Sequence, residues 1–543
     1  MVNSRALADR YWEELLEINP LLATQVGDER FDDRLPDPSP DGIERRRDVH
    51  RRALAEAKRL RPLARDVTDR AVCDTVEAFA GPELAGIELQ VHRFAPIDQL
   101  WGPGTLLDQF ASLQRADTPS RVDRYLDRLR ALQRYLDDCS RLLLDDTNAP
   151  VAPRLIVDRC IRQVERIIET PPEHSPAVRL IPAGTQARER AAKVLRESTL
   201  PAYSGYLEAL KSYRRRGRET IGVGDLPEGD ATYRVFVQRW TSLSLDPKEV
   251  HELGTSQLRE IDAERLHLAN TLGASDPATA IATYTAVPEN RFQSPDDILQ
   301  TARHQVQLGW ERAHQYFGRL PRQNCQVLPV PPDREADVLE HYLAGTSDGS
   351  RPGVYYVNTA RAQSRQRRSL ATTTFHEANP GHHLQASLEQ EQADRPDLLR
   401  FGGELAGGAF VEGWGLYSER LADEMGLFRD DYERLSMLEL QALRAARLVV
   451  DTGIHALGWR RDQVIDLLMA TGLDRDRAEL ETDRYIALPG QALSYKIGQN
   501  QIEESRRIEE RRLGAAFSLR DFHDRLLFLG SLPLSTLRRE LST

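Results

Sequence analysis

Pro380 and Gly381 stand between a His-Glu pair and a His-His pair, in the stretch His376-Glu377-Ala378-Asn379-Pro380-Gly381-His382-His383. No other feature constrains the fold of this chain so tightly. In the ordinary H-E-x-x-H arrangement two histidines four residues apart share one helix face and hold a zinc ion, and the glutamate beside the first is the base. Here the next histidines come six and seven residues on. Six residues of ideal helix turn about 600°, which points His382 away from His376. Seven turn about 700° and restore the face, but the rise is then about 10.5 Å. Metal–imidazole bonds of about 2.0–2.1 Å do not bridge that span. Pro380 has no N–H to donate and Gly381 takes backbone conformations closed to other residues. The pair is therefore expected to open the helix as a local bulge and return His382 to His376. The plain alternative is a helix that ends at Asn379, with surface histidines starting the next one. Three of the thirteen histidines fall in these eight residues, which favours metal binding.

A three-ligand site needs a further side chain from downstream. Glu412-Gly413-Trp414-Gly415-Leu416-Tyr417-Ser418-Glu419 is the best source. Glu412 and Glu419 lie seven apart on nearly one helix face. Glu412 is preferred, because the small Gly413 beside it allows close helix approach. Arg447, Asp451 and His455 share another helix face at four-residue spacing. Asp451 is placed to orient His455 or to pair with Arg447, and a structural ion-pair network is the competing reading. Arg484, Tyr485, Tyr495 and Lys496 surround a Pro489-Gly490 turn and suit a carbonyl oxyanion or a carboxylate. Of these, Tyr495 and His455 are the candidates for oxyanion donor, with Tyr495 preferred.

The 543 residues exceed the size at which a single core stops growing, so at least two lobes are expected. The boundary falls in the turn-rich Gly222–Gly229, giving a helical lobe over 1–221 and a site-bearing lobe over 222–543. Helical periodicity dominates, and Asp246 and Ser294 are the clearest caps. Val67–Phe79 is expected as a helix. Gln326–Pro331 and Gly353–Thr359 are the best strand candidates. The fold class is therefore mainly α: two helical lobes around a deep cleft, with a small β-sheet next to the histidine helix. A net charge of −11 disfavours nucleic acid. No apolar run is long enough to span a membrane. Four scattered cysteines suit a reducing compartment, so the cytoplasm is expected.

HEANPGHHLQ (376–385), EGWGLYSE (412–419), VDTGIHALGW (450–459) and RYIALPGQALSYKIG (484–498) together resemble the bacterial domain-of-unknown-function family 885. That family is placed among zinc peptidases related in fold to angiotensin-converting enzyme and the thimet-type oligopeptidases. The resemblance spans nearly the whole chain. It implies a zincin-like fold, zinc on His376, His382 and Glu412, and Glu377 as general base. It makes His383 a neighbour of the site rather than a ligand, with Asp451 and Glu419 also behind the ligands. Related peptidases lay substrate along an edge strand before the zinc helix, a role that Tyr355, Tyr356 and Asn358 would fill. The expected function is zinc-dependent cleavage of amide bonds in peptides. The alternatives are a dedicated amidase for one small metabolite and a non-catalytic helical binding protein.

Overall fold

The computed structural model describes residues 4–331, 335, 340–346 and 349–542. The architecture is mainly α, with one three-stranded sheet among the described residues. The helix Pro119–Leu144 shows how the sequence dictates such elements. Thr118 caps it by accepting a hydrogen bond from the Arg121 N–H at 3.3 Å. Val122, Tyr125, Leu126, Leu129, Leu132 and Leu136 recur at helical spacing, and all are buried. Asp246 and Ser294 cap Pro247–Thr271 and Pro295–Tyr316 as the sequence predicts. The helix expected over 67–79 instead runs from Val67 to Glu88, straight through Pro82. A proline ring clashes with the Cβ of the residue before it, and here that residue is Gly81, which has none.

Two large apolar cores organise the chain. One joins Leu7, Tyr11 and Phe79 to Phe410, Trp414 and Leu534. The other joins Leu129, Tyr203 and Tyr206 to Val450, Ile454 and Ile486. Both draw on residues from either side of position 222, so neither core is confined to 1–221 or to 222–543. A smaller core under the sheet packs Phe292, Val306 and Tyr355 against Leu370.

Strands β1 (Gln326–Pro329), β2 (His341–Leu343) and β3 (Val354–Val357) form that sheet in the order β1-β3-β2. β1 and β3 run parallel, while β2 and β3 are antiparallel. The strand expected at 353–359 is thus the central one. β2, which the sequence pattern did not signal, is the edge beside the histidine helix.

Candidate metal centre

The helix Leu370–Glu377 carries His376 near its end, and a second helix, His382–Gln390, begins with His382. The chain is not a bulged single helix, as expected from the Pro-Gly insert, but two helices with a tight reversal between them. Gly381 makes the reversal sterically possible: a Cβ there would lie 1.9 Å from the His376 carbonyl oxygen. Only glycine lets the chain fold back over the last turn it has just completed. Trp414 pins the reversal, donating Nε1–H to the carbonyls of Pro380 at 3.0 Å and Gly381 at 3.2 Å. The plain alternative held that the next helix starts with surface histidines. The helix does break, at Glu377 rather than Asn379, but the histidines that start the next one are not on the surface: the His382 side chain is 13% exposed and His383 3%.

This reversal sets the two imidazoles edge to face, 4.7 Å between centroids. Glu412, on the helix Gly403–Glu424, completes the cluster. Its Oε2 lies 3.9 Å from His376 Nε2 and 3.7 Å from His382 Nε2. One donor atom from each of the three side chains lies within 4.8 Å of the others. Gly415, one turn on, keeps the space open. A Cβ there would stand 2.7 Å from His376 Nε2 and 2.9 Å from His382 Cε1. Gly413, which the sequence suggested as the close-approach glycine, serves a different contact: it packs against Gly498 of the helix Leu493–Leu513.

Glu419 holds His376 from behind, accepting from Nδ1 at 2.9 Å. Its other oxygen accepts from Gln441 Nε2 at 2.9 Å, and Arg444 lies 3.6 Å away. Burial disfavours charge on Glu412 and Glu419, yet both carboxyls sit below their usual range. For Glu412 the facing histidines outweigh burial; for Glu419 the Arg444 guanidinium and His376 do so. Burial pulls His376 down, but Glu412 and Glu419 outweigh it and raise the imidazole to about 9. Two imidazoles and an ionised carboxylate converge, one imidazole backed by a second carboxylate, and with the His376 Nε2 proton displaced they form a donor set that fits a borderline-soft divalent ion.

Glu377 is turned off the ligand axis. Its Oε2 accepts the backbone N–H of Tyr342 at 2.8 Å, tying it to the edge strand β2. His383 supports that strand from the other side. Its Nδ1 accepts from the Tyr342 hydroxyl at 3.2 Å, and its Nε2 donates to the Gln323 carbonyl at 3.0 Å. Both nitrogens are committed, so His383 neighbours the site without entering it. Burial pushes it down to about 4 and keeps it neutral.

Tyr495 is half-buried and feels the Glu412 carboxylate, which adds to burial in raising its hydroxyl pKa. Arg447 lies over its ring at 4.5 Å. Arg484 reaches it through Gln491, donating to that side chain at 3.0 Å. The remaining expectations require correction. His455 does not face the cluster. Its Nδ1 accepts the Val223 N–H at 3.2 Å, its Nε2 donates to the Tyr485 carbonyl at 3.0 Å, and it is 1% exposed. Asp451 does not orient it; the carboxylate accepts from the Tyr233 hydroxyl at 2.6 Å and the Gly490 N–H at 3.0 Å. Tyr485 is buried, accepting from Arg447 Nε at 2.9 Å and donating to Glu481. Lys496 points away from the turn into the interior, donating to Gln499 at 2.7 Å and to Gln441 at 3.3 Å.

The strand residues are corrected too. Tyr355 is wholly buried in the small core. Tyr356 stacks on His341, and Asn358 donates to the Glu335 carbonyl at 2.7 Å. None of them lies on a free edge, because β3 is flanked on both sides. Sequence reasoning missed Tyr342, Gln441 and Arg444. Only Arg444 had a visible signal, sitting three residues before Arg447 on the same charged helix stripe.

Fold and cluster together define a mainly α, two-core protein with a His-His-Glu centre floored by a Gly-Pro-containing reversal. The chain belongs to the bacterial family of unknown function DUF885, whose model matches residues 20–541. No curated protein matches it. Among solved structures it is similar to a "putative lipoprotein" from Colwellia psychrerythraea. Identity is 22%, with 99% of this chain and 98% of that one covered, at a TM-score of 0.90. It is also similar to one of unknown function from Shewanella oneidensis, at 17% identity, full coverage of both chains and a TM-score of 0.78. Among the described residues no helix is long and apolar enough to cross a membrane.

Proposed function

We propose that this chain is a zinc-dependent hydrolase of amide bonds in peptides. The observation that carries the reading is the convergence of His376, His382 and Glu412, with the unligated carboxylate of Glu377 next in sequence to the first of them. Zinc, when bound by those three side chains, supplies Lewis acidity and lowers the pKa of a coordinated water. Glu377 has one oxygen fixed by the Tyr342 N–H, which leaves Oε1 to take the proton of the attacking water and return it to the leaving amine. Tyr495 donates its hydroxyl to the developing oxyanion. Glu419 keeps the Nδ1 proton on His376, so Nε2 is the nitrogen that gives up its proton to zinc. The edge a peptide would follow is β2, His341–Leu343, rather than β3.

The test is metal analysis of the purified protein together with mass-spectrometric screening of a peptide and dipeptide library. Stoichiometric zinc is expected in both the wild type and Glu377→Gln. Turnover in the variant should fall by about 10²–10⁴. A wild-type protein with no metal and no hydrolysed peptide would overturn the reading. The four cysteines are all unpaired, which supports a reducing compartment for this chain; cell fractionation checks that. A second reading, an amidase for one small molecule, is favoured by a cavity between the two cores.

A further inference from the structure

A cavity of about 420 Å³ lies between the two apolar cores. Phe79 and Phe236 line it from one core, Ile97, Ile156 and Ile486 from the other. Its volume is in the range of small-molecule sites. It borders the helix that carries Glu412 and the segment that leads to Tyr495. Leu405, on its wall, lies seven residues before Glu412 on one helix, so the two share a face about 10.5 Å apart along the axis. Ile486–Pro489, also on its wall, leads directly into the turn before Gln491 and Tyr495.

The lining combines aromatic surface with excess positive charge. Trp101 and Trp240 stack at 6.2 Å, and Trp101 is 54% exposed, a large apolar ring left open to solvent. Phe94 meets Phe236 edge to face at 5.7 Å. Glu83 pairs with Arg239 at 2.8 Å. Asp98 is spent on the backbone N–H groups of Leu100 and Trp101. Arg218 is spent on the carbonyls of Val151 and Gly222. That leaves Arg46. Its Nε is buried without a hydrogen-bond partner, and the opposite charge that acts most strongly on its guanidinium is Glu83, which is already paired with Arg239. His92 also buries an unpartnered Nδ1 on the same wall. A half-buried guanidinium that shares its main counter-charge with a second arginine and leaves one buried N–H unpaired has room for a further carboxylate.

We infer that this cavity is a substrate pocket for an apolar or aromatic group bearing a carboxylate, and that Arg46 pairs with that carboxylate. The ligand class deepens the amide-hydrolase reading, and rests on it for the word substrate. It selects small acyl-amino acids or short peptides with a free acid, anchored beside Trp101 and Trp240, over long peptides.

Binding tests the pocket separately from catalysis. N-acetylphenylalanine and N-acetylphenylalaninamide are titrated calorimetrically into the Glu377→Gln protein, before and after chelation of metal. The acid is expected to bind at least tenfold tighter than the amide, with the preference surviving chelation. Arg46→Met should abolish the preference and leave the amide affinity unchanged, since Glu83 keeps its pairing with Arg239. Equal affinities for acid and amide would overturn the inference, as would a preference that disappears on chelation, which would place the carboxylate on the metal. An absence of metal or turnover would sink the hydrolase reading and leave this result standing.

Discussion

His376 Nδ1 and Glu419 Oε1 stand 2.9 Å apart, and that contact decides which nitrogen of His376 faces Glu412. The assignment does not stop at Glu419. Lys496 can only donate, so Gln441 must turn its oxygen toward the lysine and its NH₂ toward Glu419. Glu419 is thereby kept an acceptor. Glu419→Gln retains the shape and removes the charge. Metal affinity is expected to fall by about 10–100-fold, the usual effect of losing a partner behind a ligand. Competition with a chromogenic chelator measures it; an unchanged affinity would show that the contact is structural only.

His382 and His383 are adjacent and have opposite fates. His382 faces Glu412, whereas both nitrogens of His383 are held by Tyr342 and Gln323. His382→Ala should abolish stoichiometric metal. His383→Ala should retain most of it while losing about 1 kcal/mol or more of stability, because the half-buried Tyr342 hydroxyl and the Gln323 carbonyl lose their partner and the buried ring leaves a void. Elemental analysis and thermal melts separate the two. Equal metal content in both variants would reject the assignment.

Tyr495 and His455 were the two candidates for the oxyanion donor, and their environments now separate them. Tyr495→Phe should keep metal and fold and lower kcat by about 10²–10³, with little change in KM. His455→Gln should reduce stability and leave kcat near wild type. The reverse pattern, with kcat lost only in the His455 variant, would put the donor elsewhere than the geometry does.

Buried titratable groups set the pH response of stability. His50, His383 and His455 each have pKa values pushed by burial from 6.5 to about 4. Their folded values are depressed, so the unfolded chain takes up protons first. Stability should fall as pH drops from about 6.5 to 4, by up to about 1.4 kcal/mol per pH unit for each histidine. Asp451 acts in the opposite sense. Burial raises it from 3.8 to about 7, so its contribution is complete below 3.8 and lost as pH rises through 7. Asp451→Asn keeps an oxygen for the Tyr233 hydroxyl and the Gly490 N–H. It should stabilise the protein relative to wild type at pH 8 more than at pH 4. Melting temperatures across that range check this, and a parallel shift at both pH values would contradict it.

The helical class, the principal caps and the convergence of His376, His382 and Glu412 as a candidate metal site were legible in the sequence. Periodicity, capping and motif spacing are local, and the side chains concerned lie on segments whose own residues dictate their form. The cleavage of one helix into two at Glu377 was only half legible, since Pro380 announces a break, but the return of the chain onto His376 depends on Gly381 packing beneath Trp414, thirty-odd residues away. What tertiary structure alone decided is everything that depends on which distant elements meet. β3 became a central strand because β2 pairs with it, which removed Tyr355, Tyr356 and Asn358 from any free edge. His455 and Lys496 carry reactive groups, but the packing of their helices aims one at the Val223 N–H and the Tyr485 carbonyl and the other at Gln441 and Gln499. A side chain's chemistry is set by its covalent structure, whereas its accessibility and partners are set by long-range packing that no local spacing encodes.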